Sequence, residues 1–303
     1  MRFICVLLFL IVSVSSVQAN GKYIVTSDSV RLFVNVKGTG PACLYIHGGP
    51  GSGSYWLEKF SGDFLEQNFR MIYLDQRGVG RSSSPVNKDY SMERMIKDFE
   101  EIRVSLGINQ WLTLGHSFGG ILQMGYANRF PNAISGMIFI NCTLDMNDSF
   151  STSWLPKAIE LAGDEVPSVC LDTAVSVYHR MLAIMPVLNK KGEMWKIFFD
   201  NQENSIRMNE TYHGFETWNS DQSENILEIP EYWEDYRKHT REFNRPVLFY
   251  YGKTDWAIGP DHYTGMVFPE MKLWGAETGH MPFLENKTDL MNAISNFMNS
   301  NHF

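Results

Sequence analysis

The chain has 303 residues, with 26 Lys+Arg against 34 Asp+Glu, a formal net charge of -8, and 44% apolar and 14% aromatic content. So much apolar material supports one large core and excludes a disordered, collagen-like or multi-pass membrane protein. The acidic balance, with a sequence pI near 5.5, argues against nucleic acid or an anionic membrane as partner, because both demand a basic surface.

Residues 1–19 read as a signal peptide. Met1 and Arg2 give a short positive start, Phe3 to Val14 is an apolar run of twelve, and Ser15 to Ala19 ends in a small-x-small cleavage pattern. Twelve residues are too few to span a bilayer comfortably, since about 20 are needed. A secreted or periplasmic location is therefore expected, with an uncleaved anchor as the alternative. Cys43, Cys142 and Cys170 remain after cleavage. An odd, sparse set is no disulfide framework, no Cys/His spacing suggests a metal site, and no cofactor is expected.

In chain order, β-rich runs at Tyr23 to Thr26, Arg31 to Val36, Ala42 to Ile46 and Arg70 to Leu74 predict four strands. A helix is predicted over Met92 to Leu106, where Met92, Met95, Ile96, Phe99, Ile102 and Leu106 keep a 3.6-residue period. A strand at Trp111 to Leu114, a helix at Gly119 to Asn128 and a strand at Gly136 to Ile140 follow. Continuous apolar strands alternating with helices predict a mostly parallel sheet covered by helices on both faces. Residues 144–242 lose the strand pattern and predict a helical cap inserted after the sixth strand, between core segments 20–143 and 243–303. Beyond it, a strand at Pro246 to Tyr251, a helix near Asp261, a short strand at Lys272 to Trp274 and a helix at Leu290 to Met298 complete the chain.

Gly115-His116-Ser117-Phe118-Gly119 sits between a predicted strand and a predicted helix. In this G-x-S-x-G arrangement the strand turns sharply into the helix with the serine at the apex, so Ser117 is the candidate nucleophile. A hydroxyl needs a base, and the base an orienting acid. His280, on a loop between the last strand and last helix, is the candidate base. Asp255, just past the strand ending at Tyr251, is the candidate acid, with Asp145 after the preceding strand as its competitor. The order Ser117, Asp255, His280 is the one that α/β-hydrolase triads use. His47-Gly48-Gly49-Pro50-Gly51 follows the third strand, where such folds supply a backbone donor to the oxyanion; Gly49 and Phe118 are the candidate donors. His47 is expected to hold that loop, and Asp75 and Arg77 to brace the turn after the fourth strand.

The segment His47 to Gly51, together with Asp75-Gln76-Arg77-Gly78-Val79-Gly80-Arg81-Ser82, resembles the prolyl aminopeptidase (proline iminopeptidase) family of α/β-hydrolases over nearly all of the chain beyond the signal segment. The resemblance implies an α/β-hydrolase fold and removal of an N-terminal residue from short peptides, the substrate's ammonium being clamped by cap glutamates. Glu210 and Glu216 are the counterparts here, within a motif where Asn209 and Glu210 stand in exchanged order, and Phe118 replaces the family's usual Trp. The expected partner is a short peptide or small acyl substrate with a cationic N-terminus, with Trp154, Tyr212 and Trp218 available to enclose its side chain. A carboxylesterase, lipase-like enzyme or lactonase on the same triad is the alternative, and a non-catalytic binding protein a third. Asn141, Asn147, Asn209 and Asn286 open Asn-x-Ser/Thr sites, of which Asn141 is expected to be buried at a strand end.

The acidity is local. Residues 144–242 hold 18 Asp+Glu against 9 Lys+Arg. A negative cap would concentrate cationic substrates.

Overall fold

The computed structural model describes residues 21–301 and 303, excepting the side chains of Tyr212 and His213. The expected signal segment and the Tyr212 side chain lie outside the described residues. Eight strands form one sheet: β1 (Lys22–Val25), β2 (Arg31–Lys37), β3 (Ala42–Ile46), β4 (Arg70–Leu74), β5 (Trp111–Ser117), β6 (Ile134–Cys142), β7 (Val247–Gly252) and β8 (Met271–Ala276). Their order is β1-β2-β4-β3-β5-β6-β7-β8. The first two pairings are antiparallel and the remaining five parallel.

Neither face of the central strands meets water. Leu112, Leu114, Ile138 and Ile140 point to one face, Trp111, Met137 and Phe139 to the other, and all are buried. Helix α1 (Tyr55–Asn68) and the closing helix Lys287–Ser300 cover the first face, through Leu57, Leu65, Leu290, Ile294 and Phe297. Helix α2 (Met92–Ser105) and helix α3 (Gly119–Arg129) cover the second. The periodic stripe predicted on α2 is buried from Met92 to Ile102, and the Ser91 hydroxyl caps its first turn by accepting from the Arg94 N–H.

One helix goes beyond the sequence reading and one expected helix is missing. Helix α1 has no counterpart in the sequence reading, because it buries Ser61 and Gly62 alongside Leu57 and Leu65, which blurs the apolar period. Conversely, no helix forms near Asp261; residues 259–265 are turns, with Gly259 at φ +103° and Gly265 at φ +89°.

Between β6 and β7 the chain is helical or in turns, including helices Leu155–Ala162, Val177–Lys191 and Gln202–Glu210. Trp154, Leu155, Ala158, Met181, Ile184 and Leu188 give this insert a small core of its own. It docks on the sheet edge by backbone bonds. Asn219 and Gly80 exchange both of theirs, at 2.8 and 3.1 Å, and the Gln222 N–H donates to the Gly78 carbonyl. The Phe198 carbonyl accepts from the His280 N–H at 3.0 Å.

Candidate active site

Ser117 ends β5 in the left-handed region, at φ +55°, before α3 begins at Gly119. A side chain in that conformation is strained, and crowding shows why the flanking positions are glycine. A Cβ at Gly115 would lie 1.9 Å from Gln123 Oε1, and one at Gly119 would lie 2.2 Å from the Ile46 carbonyl oxygen. The His47 to Gly51 loop presses on the same turn. A Cβ at Gly48 would stand 2.6 Å from Ser117 Cβ and 3.2 Å from the Phe118 nitrogen. The loop thus sets Gly48 against the serine and the Phe118 nitrogen, with Gly49 next in the chain.

His280 and Asp255 meet at the ends of β7 and β8. His280 Nδ1 lies 2.8 Å from Asp255 Oδ2, both side chains being buried. Asp255 Oδ1 accepts from the Ala257 and Ile258 N–H groups, at 2.9 and 3.3 Å, so the carboxylate is held on both oxygens. These contacts orient the carboxylate towards the imidazole. Asp145 is placed elsewhere: it caps the short helix Met146–Ser149 and pairs with Arg237 at 2.8 Å.

The loop carrying His280 is secured by groups that sequence reasoning did not single out. His116 donates from Nε2 to the His280 carbonyl at 2.8 Å, and the two rings stand 4.7 Å apart. Burial pushes His116 down to about 3, so it stays neutral beside His280. Glu285 accepts from the Thr278 hydroxyl at 2.8 Å and from the Gly279 N–H at 2.5 Å; burial raises its carboxyl to about 7. Asn141 donates to both Asp255 and the Gly279 carbonyl. Its only sequence signal was a glycosylation triplet, and it is fully buried.

The bracing residues sit as expected. His47 Nε2 accepts from the Gln76 N–H at 3.1 Å and its Nδ1 donates to the Gly48 carbonyl, while burial lowers it to about 4. Asp75 accepts from the Ser54 N–H and hydroxyl and from Arg81. Burial alone would raise its carboxyl, but Arg81 and Ser54 outweigh burial and hold it below the ordinary value. Arg77 is buried and forks onto Asp98, with Asp28 as second partner.

The expected amine ligands do not join this cluster. Glu210 ends its helix and Glu216 follows in the next stretch; both are exposed, and neither is among the hydrogen-bond partners of His280 or Asp255. Trp154 belongs to the insert's own core, whereas Trp218 lies over the loop, its Nε1 3.4 Å from the Gly51 carbonyl. Among the described residues no group of three or more His, Cys, Asp or Glu is arranged to hold a metal ion.

Residues 41–165 match the family model described as alpha/beta hydrolase fold. The RutD proteins of Escherichia coli, which carry the name of putative carbamate hydrolases, are similar at 32% identity over 107 residues in strain HS, covering 35% of this chain. The chain spans 40% of the length of that relative. Among solved structures, a proline iminopeptidase-related protein of Thermus thermophilus superposes with a TM-score of 0.75 at 22% identity, covering 92% of this chain and 97% of the other. An esterase of Exiguobacterium antarcticum superposes with a TM-score of 0.69 at 19% identity, covering 91% and 98%. Eight strands in this order, with the elbow after β5 and an insert after β6, give the chain the α/β-hydrolase fold.

Proposed function

We propose that the protein is an exported serine hydrolase that works through an acyl-enzyme, and that its substrates are short peptides from which it removes the N-terminal residue, proline or another small or apolar one. The observation that carries the reading is the buried His280–Asp255 pair, in a fold whose strained elbow presents Ser117. Ser117 Oγ attacks the carbonyl carbon while His280 Nε2 takes its proton, and Asp255 keeps Nδ1–H directed and the imidazolium stabilised. The N–H groups of Gly49 and Phe118 receive the oxyanion. His280 then protonates the leaving amine, and water, deprotonated by the same imidazole, releases the acyl group.

The peptidase reading draws support from the paired signatures at His47 to Gly51 and Asp75 to Ser82 and from the negative insert. The exposure of Glu210 and Glu216 favours a second reading, an esterase or lactonase with the same triad and no amine clamp. Hydrolysis of proline and alanine β-naphthylamides against p-nitrophenyl esters separates the two. Aminoacyl-amide turnover, abolished by Ser117→Ala, is the expected result; ester turnover alone overturns the peptidase reading. Export is tested by sequencing the N-terminus of protein recovered outside the cytoplasm, which should begin at Asn20.

A further inference from the structure

Asn141 stands at the end of β6 with φ +47°, a conformation that a side chain pays for and glycine does not. Its carboxamide is fully buried, and its Oδ1 has no hydrogen-bond partner. A residue selected for stability alone would carry neither cost. Its Nδ2 explains what they support. One N–H reaches Asp255 Oδ2 at 2.7 Å, the same oxygen that receives His280 Nδ1, and the other reaches the Gly279 carbonyl at 2.9 Å, one residue before the base. The end of β7 leaves room for this amide: a Cβ at Gly252 would lie 2.9 Å from Asn141 Nδ2, 2.3 Å from the Thr278 carbonyl oxygen and 2.5 Å from that of Gly279.

We propose that Asn141 is a positioning residue of the hydrolase, a single amide that ties the acid to the backbone of the base loop and sets how Asp255 Oδ2 meets His280. The proposal rests on the serine-hydrolase reading. Asn141 also shares the basicity of Oδ2 between two donors. Without it that oxygen serves Nδ1–H alone, and the acid is no longer tied to the backbone of the base loop. The titratable groups around this carboxylate are His280, His116, His262 and the Cys142 thiol. Burial keeps the last three uncharged near neutrality.

The test is the rate at which a fluorophosphonate probe labels the full chain, followed against pH, because displacement of fluoride by Ser117 needs the same activation whatever the natural substrate. Wild type, Ser117→Ala, Asn141→Gly and Asn141→Asp are compared, with thermal unfolding recorded for each. Glycine accepts the left-handed backbone, so Asn141→Gly deletes the amide without adding strain. Its labelling is expected to slow roughly tenfold to a hundredfold, the scale of a misplaced catalytic group. Asn141→Asp keeps the shape and is expected to slow progressively as pH rises and the second carboxylate ionises beside Asp255. If Ser117→Ala is labelled like wild type, the serine-hydrolase reading falls. If Ser117→Ala is inert while folded Asn141→Gly, or Asn141→Asp should the glycine variant not fold, superimposes on the wild-type profile, the positioning role alone is overturned.

Discussion

His116 follows the elbow glycine and His280 occupies a loop 164 residues later, yet the ring of the first donates to the backbone carbonyl of the second at 2.8 Å. The nucleophile strand and the base loop are thereby joined by a neutral imidazole, which adds no positive charge beside the proposed base.

His116 belongs to a set of three buried histidines whose burial costs stability in acid. Burial holds His47 and His262 at about 4 and His116 at about 3, against an ordinary 6.5. The unfolded chain gains protons as pH falls through 6.5, and the folded chain does not until about 4. Stability should therefore be full above 6.5 and fall between about 6.5 and 4, by up to roughly 4 kcal/mol per pH unit when three protons separate the states. Urea unfolding across this range measures the slope, and His262→Gln should reduce it by about a third.

Gly48→Ala places a methyl group 2.5 Å from the His116 carbonyl oxygen and 2.6 Å from Ser117 Cβ. Neither neighbour is a flexible side-chain end, so the loop must retreat from the elbow and take the Gly49 donor with it. We expect kcat to fall about a hundredfold with a stability loss of about 1–3 kcal/mol. A kcat unchanged in the folded variant would remove Gly49 from the oxyanion site.

Glu285 answers pH in the opposite sense to the histidines. Its carboxyl is raised by burial to about 7, so the folded state keeps a proton that the unfolded state releases near 4.5. Its ionisation costs stability as pH rises between those values. Glu285→Gln should be more stable than wild type at pH 8 by on the order of 1 kcal/mol, after a discount for partial exposure, and should lose that advantage at pH 5. Thermal melts at the two pH values decide it.

Arg77→Met should be the most damaging of these substitutions to the fold. It leaves Asp98, 2% exposed, with Arg94 alone at 2.6 Å, and removes the fork on Asp28. A cost of about 3 kcal/mol is expected in urea unfolding, because a buried carboxylate that loses one of its two guanidinium partners outweighs the gain in apolar contact. A loss below 1 kcal/mol would mean that Arg94 suffices.

The inner strands were legible because each is an apolar run buried on both faces, and α2 because its buried stripe keeps one 3.6-residue period from Met92 to Ile102. Helix α1 was not, since its inward face includes Ser61 and Gly62, small residues that let it sit close to β4 and the last helix. The helix expected near Asp261 fails because Gly259, at φ +103°, and Gly265, at φ +89°, take the backbone out of the helical region at both ends of the segment. Ser117, Asp255 and His280 declared themselves through local context, each sitting where a strand ends. Asn141, His116 and Glu285 did not, because each bonds at least one backbone group of the His280 loop, and a backbone partner carries no side-chain signature. Glu210 and Glu216 were named from a motif likeness, and both side chains are exposed.

The insert is sewn to the core through main-chain atoms, at Asn219 on Gly80, Gln222 on Gly78 and Phe198 on His280. Side chains reinforce the same seam, Asn219 on Ser82, Gln222 on Gln76 and Tyr232 on Tyr90, so selectivity can drift only at the insert positions outside it. A chimera that receives another enzyme's insert between β6 and β7 inherits the donor's preferences only if the graft restores the carbonyl over the His280 N–H. Without that acceptor, the transplant arrives with its pocket intact and the recipient's base loop unfastened.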